Sequence, residues 1–238
     1  MNISNIYFSP NGETKKIAVY YYEKLGGTLV DFTAQSSRDT YDFKILHDLV
    51  ILSIPVYSQN IPKPLRSILK MIKSTYVLIN LTYGGFSYGN VLNETSKKLL
   101  SSTLIGYSIT PVSHAYLESQ IAIDLAKYDV LIQRIQNTDF HPVKPIFKIK
   151  NIFASVFEKR RTKMNYQLLF HPDRCIYCNQ CILECPTQSI NDAIQFKDGC
   201  ILCGHCVHIC PTQAIEAHQS IYLKHYLKNK QKTSVIIR

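Results

Sequence analysis

The sequence CIYCNQCILECPTQSI at residues 175–190 determines how the C-terminal part of the chain folds, and it recurs as CILCGHCVHICPTQAI at residues 200–215. Both copies have the spacing C-x2-C-x2-C-x3-C-P, and together they contain all 8 cysteines of the 238-residue chain. A secreted disulfide framework would spread its cysteines through both halves, so this clustering indicates metal ligation. Strand-like segments at 167–170 and 194–196 precede the two copies, and the repeat predicts two half-domains related by a pseudo-twofold axis.

This repeat resembles the bacterial ferredoxins that hold two 4Fe-4S clusters, and the resemblance spans roughly residues 166–216. In that spacing three thiolates surround one face of a cubane and the fourth, next to the proline, reaches the other cluster. The resemblance therefore implies two ligand sets that exchange one cysteine each. The first is Cys175, Cys178, Cys181 and Cys210, and the second is Cys200, Cys203, Cys206 and Cys185.

Structural zinc is the alternative for this repeat, because paired Cys-x-x-Cys units also form tetrahedral sulfur sites. Zinc requires neither the third cysteine nor the proline after the fourth, so we favour the clusters. His205 and His208 occur only in the second copy, where the first has Gln180 and Leu183. Such histidines are usually exposed, but an imidazole beside a cluster could make its potential vary with pH.

The first 135 residues alternate between strand and helix patterns. Apolar runs predict strands at 2–8, 28–32, 49–56, 76–81 and 104–109, and helical spacing predicts helices at 14–25, 64–73, 90–100 and 117–135. Each of the last four strands follows a helical segment or a turn. This order predicts an α/β domain built on an open parallel sheet.

Three loops follow strands of this predicted sheet at their C-terminal ends. Ser9-Pro-Asn-Gly-Glu-Thr14 stands between the first strand and the first helix, where N–H groups and hydroxyls can cradle a phosphate. Pro55-Val-Tyr57 follows the third strand, and Thr82-Tyr-Gly-Gly-Phe-Ser-Tyr-Gly89 follows the fourth. The C-terminal ends of such strands are where an open α/β sheet binds its ligand.

These loops resemble the FMN-contacting loops of flavodoxins. The resemblance implies a flavodoxin-like doubly wound parallel sheet of order 2-1-3-4-5, with Tyr57 stacking on the flavin ring. The residues it assigns to the FMN site are Ser9, Asn11, Gly12, Glu13, Thr14, Pro55, Tyr57, Thr82, Tyr83, Gly84, Gly85 and Tyr88.

The phosphate loop departs from the flavodoxin pattern at two positions. Pro10 has no N–H to donate, and Glu13 puts a carboxylate near the phosphate, so both could weaken FMN binding. After the fifth strand, His114 could touch the flavin edge or begin a helix, and we favour the helix.

The formal net charge of +10 and the pI near 9.1 suggest an acidic partner. Each of the two clusters and the flavin phosphate would contribute a charge of about −2, which leaves the protein with its cofactors at a net charge of about +4. We therefore expect no nucleic-acid partner. No basic stretch leads into an apolar segment at the N-terminus, and no run of 18 apolar residues occurs. These patterns predict a cytoplasmic protein with no membrane contact.

Prolines at 142 and 145 mark a change in pattern between the two halves. We expect a flavodoxin-like FMN domain over residues 1–140, a connector with a short amphipathic helix over 141–165, and a small α+β ferredoxin domain with a C-terminal tail over 166–238. The connector helix would present Phe153 and Phe157 to its neighbours.

The whole chain thus resembles the flavodoxin-ferredoxin fusions of anaerobic prokaryotes. This resemblance implies an electron relay between two 4Fe-4S clusters and FMN, served by a redox partner protein such as a ferredoxin or an oxidoreductase. A flavin-dependent reductase of a small molecule or nicotinamide is the first alternative, and a redox-responsive binding protein is the second. No catalytic residue emerges, because neither a dinucleotide fingerprint nor a hydrolytic triad is present. The oligomeric state is left open.

Overall fold

The computed structural model describes residues 1–113, 121–149, 158–229 and 234–238. The strands are β1 Ile3–Tyr7, β2 Thr28–Asp31, β3 Leu46–Pro55, β4 Lys73–Tyr83, β5 Thr103–Pro111, β6 Tyr166–Phe170, β7 Ile215–Gln219 and β8 Ile236–Ile237. The helices are α1 Glu13–Leu25, α2 Gln35–Asp39, α3 Val91–Lys98, α4 Asp129–Gln136, α5 Glu158–Asn165, α6 Gln180–Leu183, α7 His205–His208 and α8 Ile221–Asn229.

Five parallel strands form the first sheet in the order β2-β1-β3-β4-β5. Because β2 lies on one side of β1 and β3 lies on the other, the order in which strands are added reverses there. This reversal puts a switch point beside the C-terminal end of β1. This order is the one that the resemblance to flavodoxins implies. The fold class predicted from sequence is therefore confirmed.

Alternate residues of β3 pack on opposite faces of this sheet. Leu49 and Ile51 contact the helices α1 and α4 on one face, whereas Val50, Leu52 and Ile54 lie in the core on the other. All five side chains are fully buried. A strand covered on both faces reads as a continuous apolar run, which is why the sequence predicts it so clearly.

A sixth strand, β8, extends the sheet from the opposite end of the chain. Ile236 and Ile237 pair antiparallel with Ile109 and Ser108 of β5. The backbone of Arg238 exchanges hydrogen bonds of 2.7 and 2.9 Å with that of Tyr107. The sequence patterns did not predict this return of the C-terminus to the N-terminal sheet.

Two predicted helices differ from the structure. The helix expected at 64–73 is replaced by two short 3₁₀ turns, Lys63–Leu65 and Leu69–Met71, because β4 already begins at Lys73. The helix expected at 117–135 is shorter: a 3₁₀ turn at Leu125–Tyr128 leads into α4, and residues 114–120 with His114 lie outside the described part.

The C-terminal unit is small and contains an antiparallel pair, β6 with β7. Its core is formed by Ile190, Ile194 and Ile215 together with the buried Cys185 and Cys206. A strand was expected at 194–196, but Phe196 makes only an isolated bridge to Ile190. The partner of β6 follows the second cysteine motif instead of preceding it.

The predicted amphipathic helix of the connector, with Phe153 and Phe157, falls largely outside the described residues. In the described part of the connector, Val143 and Ile146 pack against the core of the N-terminal domain. None of the helices in the described ranges combines the length and the apolar character needed to cross a membrane.

Candidate iron-sulfur and flavin sites

The two cysteine loops share one backbone conformation. Three pairs of residues, each separated by the repeat offset, have left-handed φ angles: Tyr177 and Leu202, Asn179 and Gly204, and Gln188 and Gln213. Left-handed backbone is costly for residues other than glycine and persists where the surrounding structure requires it. Here it curls each loop so that backbone N–H groups point toward the cysteine sulfurs.

Hydrogen bonds to sulfur repeat between the two copies. The N–H of Tyr177 donates to Cys175 Sγ and that of Leu202 to Cys200 Sγ, both at 3.4 Å. At the fourth cysteine of each copy the N–H groups of Ser189 and Ala214 donate to Cys185 and Cys210, at 3.3 and 3.2 Å. Such bonds stabilise a thiolate over a thiol.

The charge state of Cys210 follows from these contacts. Partial burial raises its pKa, but hydrogen bonds from Thr212 and from the N–H of Ala214 outweigh burial, so the pKa lies below its usual value. A thiolate is the form that ligates metal. Cys210 therefore loses its proton to a bound metal more readily than an ordinary thiol does.

The thiols face one another in two groups. Burial raises the pKa of Cys181, and the charges of Cys210, Cys175 and Cys178 raise it further, in that order. The same four cysteines line one small cavity.

The second group surrounds Cys206, a buried residue of α7. Burial again raises the pKa most, followed by the charges of Cys203, Cys200 and Cys185. Each group therefore combines three cysteines of one copy with the fourth cysteine of the other. Four thiolates in such a group would repel one another, and the iron of a 4Fe-4S cluster would neutralise that charge, so these residues fit that cofactor.

A single-ion site has a different requirement. Within the described ranges, no three His, Cys, Asp or Glu side chains converge closely enough to hold one metal ion. A tetrahedral zinc site needs such convergence.

The two loops differ in exposure although their backbones match. Residues 176–180 of the first loop are all exposed, whereas their counterparts 201–205 are half-buried or buried. Ile176 and Tyr177 are 64% and 61% exposed. Ile201, in contrast, packs against the core of the N-terminal domain. The N-terminal domain therefore covers the second loop and leaves the first open.

Among the described residues, side-chain polar contacts join the C-terminal unit to the N-terminal domain at two places. His205 Nδ1 lies 2.7 Å from the carbonyl oxygen of Pro10, in the predicted phosphate loop. Arg38 Nη2 donates to the carbonyl oxygen of Pro186, the residue after Cys185. His205 is half-buried rather than exposed, which is the reverse of what is usual for such a histidine.

The phosphate loop is shaped by hydrogen bonds at the start of α1. Gly12 has a φ of +82° and its N–H donates to Ser9 O, while the N–H of Lys15 donates to Ser9 Oγ at 2.9 Å. Thr14 Oγ1 and Thr82 Oγ1 are 2.7 Å apart and both residues are buried. This bond brings the first and third predicted FMN loops together.

Glu13 is the one loop residue that opposes an anion. It is 8% exposed, and its Oε1 lies 2.6 Å from Lys16 Nζ, while the buried Oε2 has no hydrogen-bond partner. Lys16 offsets the charge of the carboxylate. The hydroxyls, first-turn N–H groups and Lys16 together fit a phosphate, with Glu13 as the group that weakens binding.

The loop after β3 turns tightly. Tyr57 and Asn60 exchange backbone hydrogen bonds across Ser58 and Gln59, both with positive φ. The Tyr57 ring is only partly buried and meets Phe8 edge-on, with centroids 6.5 Å apart. Its predicted role, stacking on a flavin, stays a prediction.

The loop after β4 encloses a second pair of rings. Tyr83 is buried and packs edge-on against Tyr88 at 5.6 Å, and Lys148 Nζ of the connector lies 4.2 Å from the Tyr88 ring centroid. Gly84 is half-buried, and Gly85 has a φ of +80°. Pro55 is the last residue of β3 and lies at the same edge of the sheet. Asn11, in the first of the three predicted FMN loops, is partly exposed.

Sequence reasoning missed Arg38, Lys16 and Lys148 in these sites. Lys16 could have been found, because a lysine three residues after a glutamate on a helix commonly pairs with it. Arg38 and Lys148 gave no signal, since their partners are a distant carbonyl and a distant ring.

A family model described as "4Fe-4S binding domain" matches residues 168–191 and 194–216. No curated protein matches the sequence. The match includes all eight cysteines of the repeat, so the C-terminal part is an iron-sulfur domain of the electron-transfer type.

Solved structures resemble the N-terminal part. A short-chain flavodoxin associated with a bacterial microcompartment is 12% identical with a TM-score of 0.41, covering 58% of this chain and 99% of that one. A flavoprotein from Bacteroides uniformis is 14% identical with a TM-score of 0.38, covering 57% and 97%. A flavoprotein in complex with FMN from Lactobacillus acidophilus is 18% identical with a TM-score of 0.34, covering 44% and 91%.

Because these TM-scores lie below 0.5, the flavodoxin-like fold is assigned from the strand order and parallel register described above. The iron-sulfur assignment rests on the family model and the cysteine spacing. The chain therefore joins a flavodoxin-like α/β domain to a C-terminal ferredoxin-type 4Fe-4S domain, which makes it a redox protein of electron transfer.

Proposed function

We propose that this protein relays electrons between two 4Fe-4S clusters and an FMN within one chain. The observation that carries the proposal is the bond between His205 and Pro10. His205 precedes Cys206 on α7, and Pro10 belongs to the phosphate loop. One cluster site and the flavin site are therefore neighbours across the domain interface.

The cluster sites have the ligands that the ferredoxin resemblance implies. The grouping of thiols around Cys181 and Cys206 supports the exchange of the fourth cysteine between copies. Their N–H donors would stabilise the bound thiolates, and the covered loop would keep water from the second site. The first site is held by Cys175, Cys178, Cys181 and Cys210, and the second by Cys200, Cys203, Cys206 and Cys185.

The FMN site lies at the C-terminal ends of β1, β3 and β4. Ser9, Thr14 and the first-turn N–H groups would bind the phosphate, and Lys16 would offset Glu13. A flavin bound there supplies an acceptor of two electrons beside clusters that carry one each. The ring would lie along the remaining predicted residues, Pro55, Tyr57, Thr82, Tyr83, Gly84, Gly85 and Tyr88.

A partner protein is the expected source or recipient of electrons. The first cysteine loop supports this part of the proposal, because Ile176 and Tyr177 are exposed beside Cys178, which is itself exposed. The domain boundaries at about residues 140 and 166 belong to the proposal as well.

The test begins with anaerobically purified protein. The relay predicts about eight iron and eight acid-labile sulfides per chain, together with about one FMN after reconstitution. A chain with zinc and negligible sulfide would contradict the cluster assignment. A chain that fails to bind FMN at micromolar concentration would contradict the relay.

The choice of electron donor distinguishes the relay from a flavin-dependent reductase in the same preparation. Reduction of its flavin by a reduced ferredoxin, and not by NADH or NADPH, is expected for the relay. Direct oxidation of a nicotinamide would favour the enzyme instead.

A further inference from the structure

Arg38 is a buried cation in the interface between the two domains. Its side chain is 6% exposed, although arginine is rarely buried without a compensating partner. Nη1 donates to the carbonyl oxygens of Phe32, Thr33 and Ala34 at 2.6, 2.8 and 3.0 Å. Nη2 donates to the carbonyl oxygen of Pro186 at 2.5 Å. All four acceptors are neutral, so the guanidinium charge is not cancelled by a direct ion pair.

The bond to Pro186 puts this charge beside one cysteine. Pro186 follows Cys185, and burial lowers the pKa of Arg38 while the charges of Asp39, Cys185 and Asp31 raise it. Asp31 and Asp39 are exposed, so water and salt screen them. Cys185 is buried, and its interaction with Arg38 is screened much less.

Among the residues that the structure describes, Arg38 is the only buried arginine or lysine, so the first cysteine site has no equivalent buried cation there. The nearest arginine in sequence is Arg174, whose side chain is 42% exposed and forms an ion pair with Glu216. Its charge is both compensated and in contact with water. The two sites, related by the repeat, thus differ in one buried, uncompensated positive charge.

A nearby cation favours the more negative state of a redox centre. One-electron reduction adds one negative charge to a cluster, and the stabilisation by a cation is larger in a medium of low dielectric constant. Ile201 and the buried Cys185 and Cys206 keep the second site in such a medium. The charge on Arg38 therefore acts on the second site at short range.

We propose that Arg38 raises the reduction potential of the cluster held by Cys185, Cys200, Cys203 and Cys206 above that of the other cluster. This proposal rests on the proposed function, since it requires both clusters to be bound. One electron given by a reduced partner protein to the first cluster then moves to the second, which is reduced as the first is oxidised. The electron arrives beside the phosphate loop, and no proton is required.

The test is a potentiometric titration of Arg38→Gln in the loaded protein, followed by electron paramagnetic resonance. At a fixed potential, the ratio of reduced to oxidised second cluster is expected to fall by roughly tenfold, which corresponds to about 59 mV. Arg38→Lys keeps the charge and is expected to retain most of the potential. Arg174→Gln is the matched control, and it is expected to leave both clusters unchanged.

The two spectra are assigned with Cys178→Ser, which alters the first cluster alone. Unchanged potentials in Arg38→Gln, or equal shifts of both clusters, would overturn the role of Arg38 and leave the relay intact. Loss of iron and sulfide from the wild-type protein would overturn the relay itself. If Arg38→Gln does not fold, the wild-type potentials decide: the higher one must belong to the cluster that Cys178→Ser does not alter.

Discussion

His205 donates its Nδ1 proton to the carbonyl oxygen of Pro10 across 2.7 Å. The carbonyl can only accept, so this contact fixes the tautomer of the imidazole. It ties the helix that presents Cys206 to the loop that is proposed to bind the flavin phosphate. This bond, the bond from Arg38 to Pro186 and the packing of Ile201 together hold the two proposed cofactor sites next to each other.

The first prediction concerns this bond. His205→Ala is expected to loosen the domain interface by about 1 kcal/mol, the usual net contribution of one hydrogen bond. Hydrogen exchange of the amides in residues 9–14 measures the effect, and it should become faster. Gln180→Ala, at the equivalent position of the exposed first loop, is the control and should leave exchange unchanged. Equal protection in both variants would mean that packing alone holds the interface.

The position of the central strand β3 could be predicted from sequence because it is a continuous apolar run, whereas the strand order was implied by the resemblance to flavodoxins. Leu49 to Ile54 alternate between two covered faces, and such a run is typical of a strand that is buried on both sides. The helix predicted at 64–73 was wrong for a physical reason. Leu65, Leu69 and Ile72 are buried at helical spacing, but the segment forms two 3₁₀ turns and Lys73 already belongs to β4.

The domain interface could not be predicted in the same way. Its polar contacts end on the carbonyl oxygens of Pro10 and Pro186, and every residue has a carbonyl oxygen. The strand β8 is also too short, at two residues, to show a period of its own. Long-range pairing of this kind leaves little trace in local sequence.

A second prediction tests the exchange of ligands between the repeats. Cys185→Ser is expected to remove about half of the iron, and the lost cluster should be the one that Cys203 also binds. Cys210→Ser is the matched variant and should remove the other cluster. Iron and sulfide analysis with electron paramagnetic resonance distinguishes the two. If Cys185→Ser instead destroys the first-motif cluster, each copy binds its own cluster.

The third prediction concerns Glu13. Its buried carboxylate lies at the start of α1 and has an unpaired oxygen, so it should repel a bound phosphate. Glu13→Gln is expected to tighten FMN binding by roughly 1 kcal/mol, or about fivefold, whereas Thr14→Ala should weaken it by about 1 to 3 kcal/mol.

Riboflavin, which lacks the phosphate, gives the control for that experiment. Fluorescence titration of the flavin-free protein should show no gain for riboflavin in Glu13→Gln. Glu23→Gln, at the exposed far end of the same helix, should change neither affinity. A gain for riboflavin as well would indicate that Glu13 acts on the fold of the loop and not on the phosphate.

The last prediction concerns the C-terminal strand. Deleting residues 234–238 removes β8 and the two hydrogen bonds between Arg238 and Tyr107. At about 1 kcal/mol for each bond, the loss should lower the Tm of the protein by about 4 to 8 °C. The substitution Ser234→Ala, at an exposed residue before β8, keeps both backbone bonds and should leave the Tm nearly unchanged. Thermal unfolding followed by circular dichroism makes the comparison, and an unchanged Tm after the deletion would show that β8 adds no stability to the sheet.

A protein cut at residue 142 would also separate β8 from β5, along with Val143 and Ile146, so isolated halves are expected to be less stable than the intact chain.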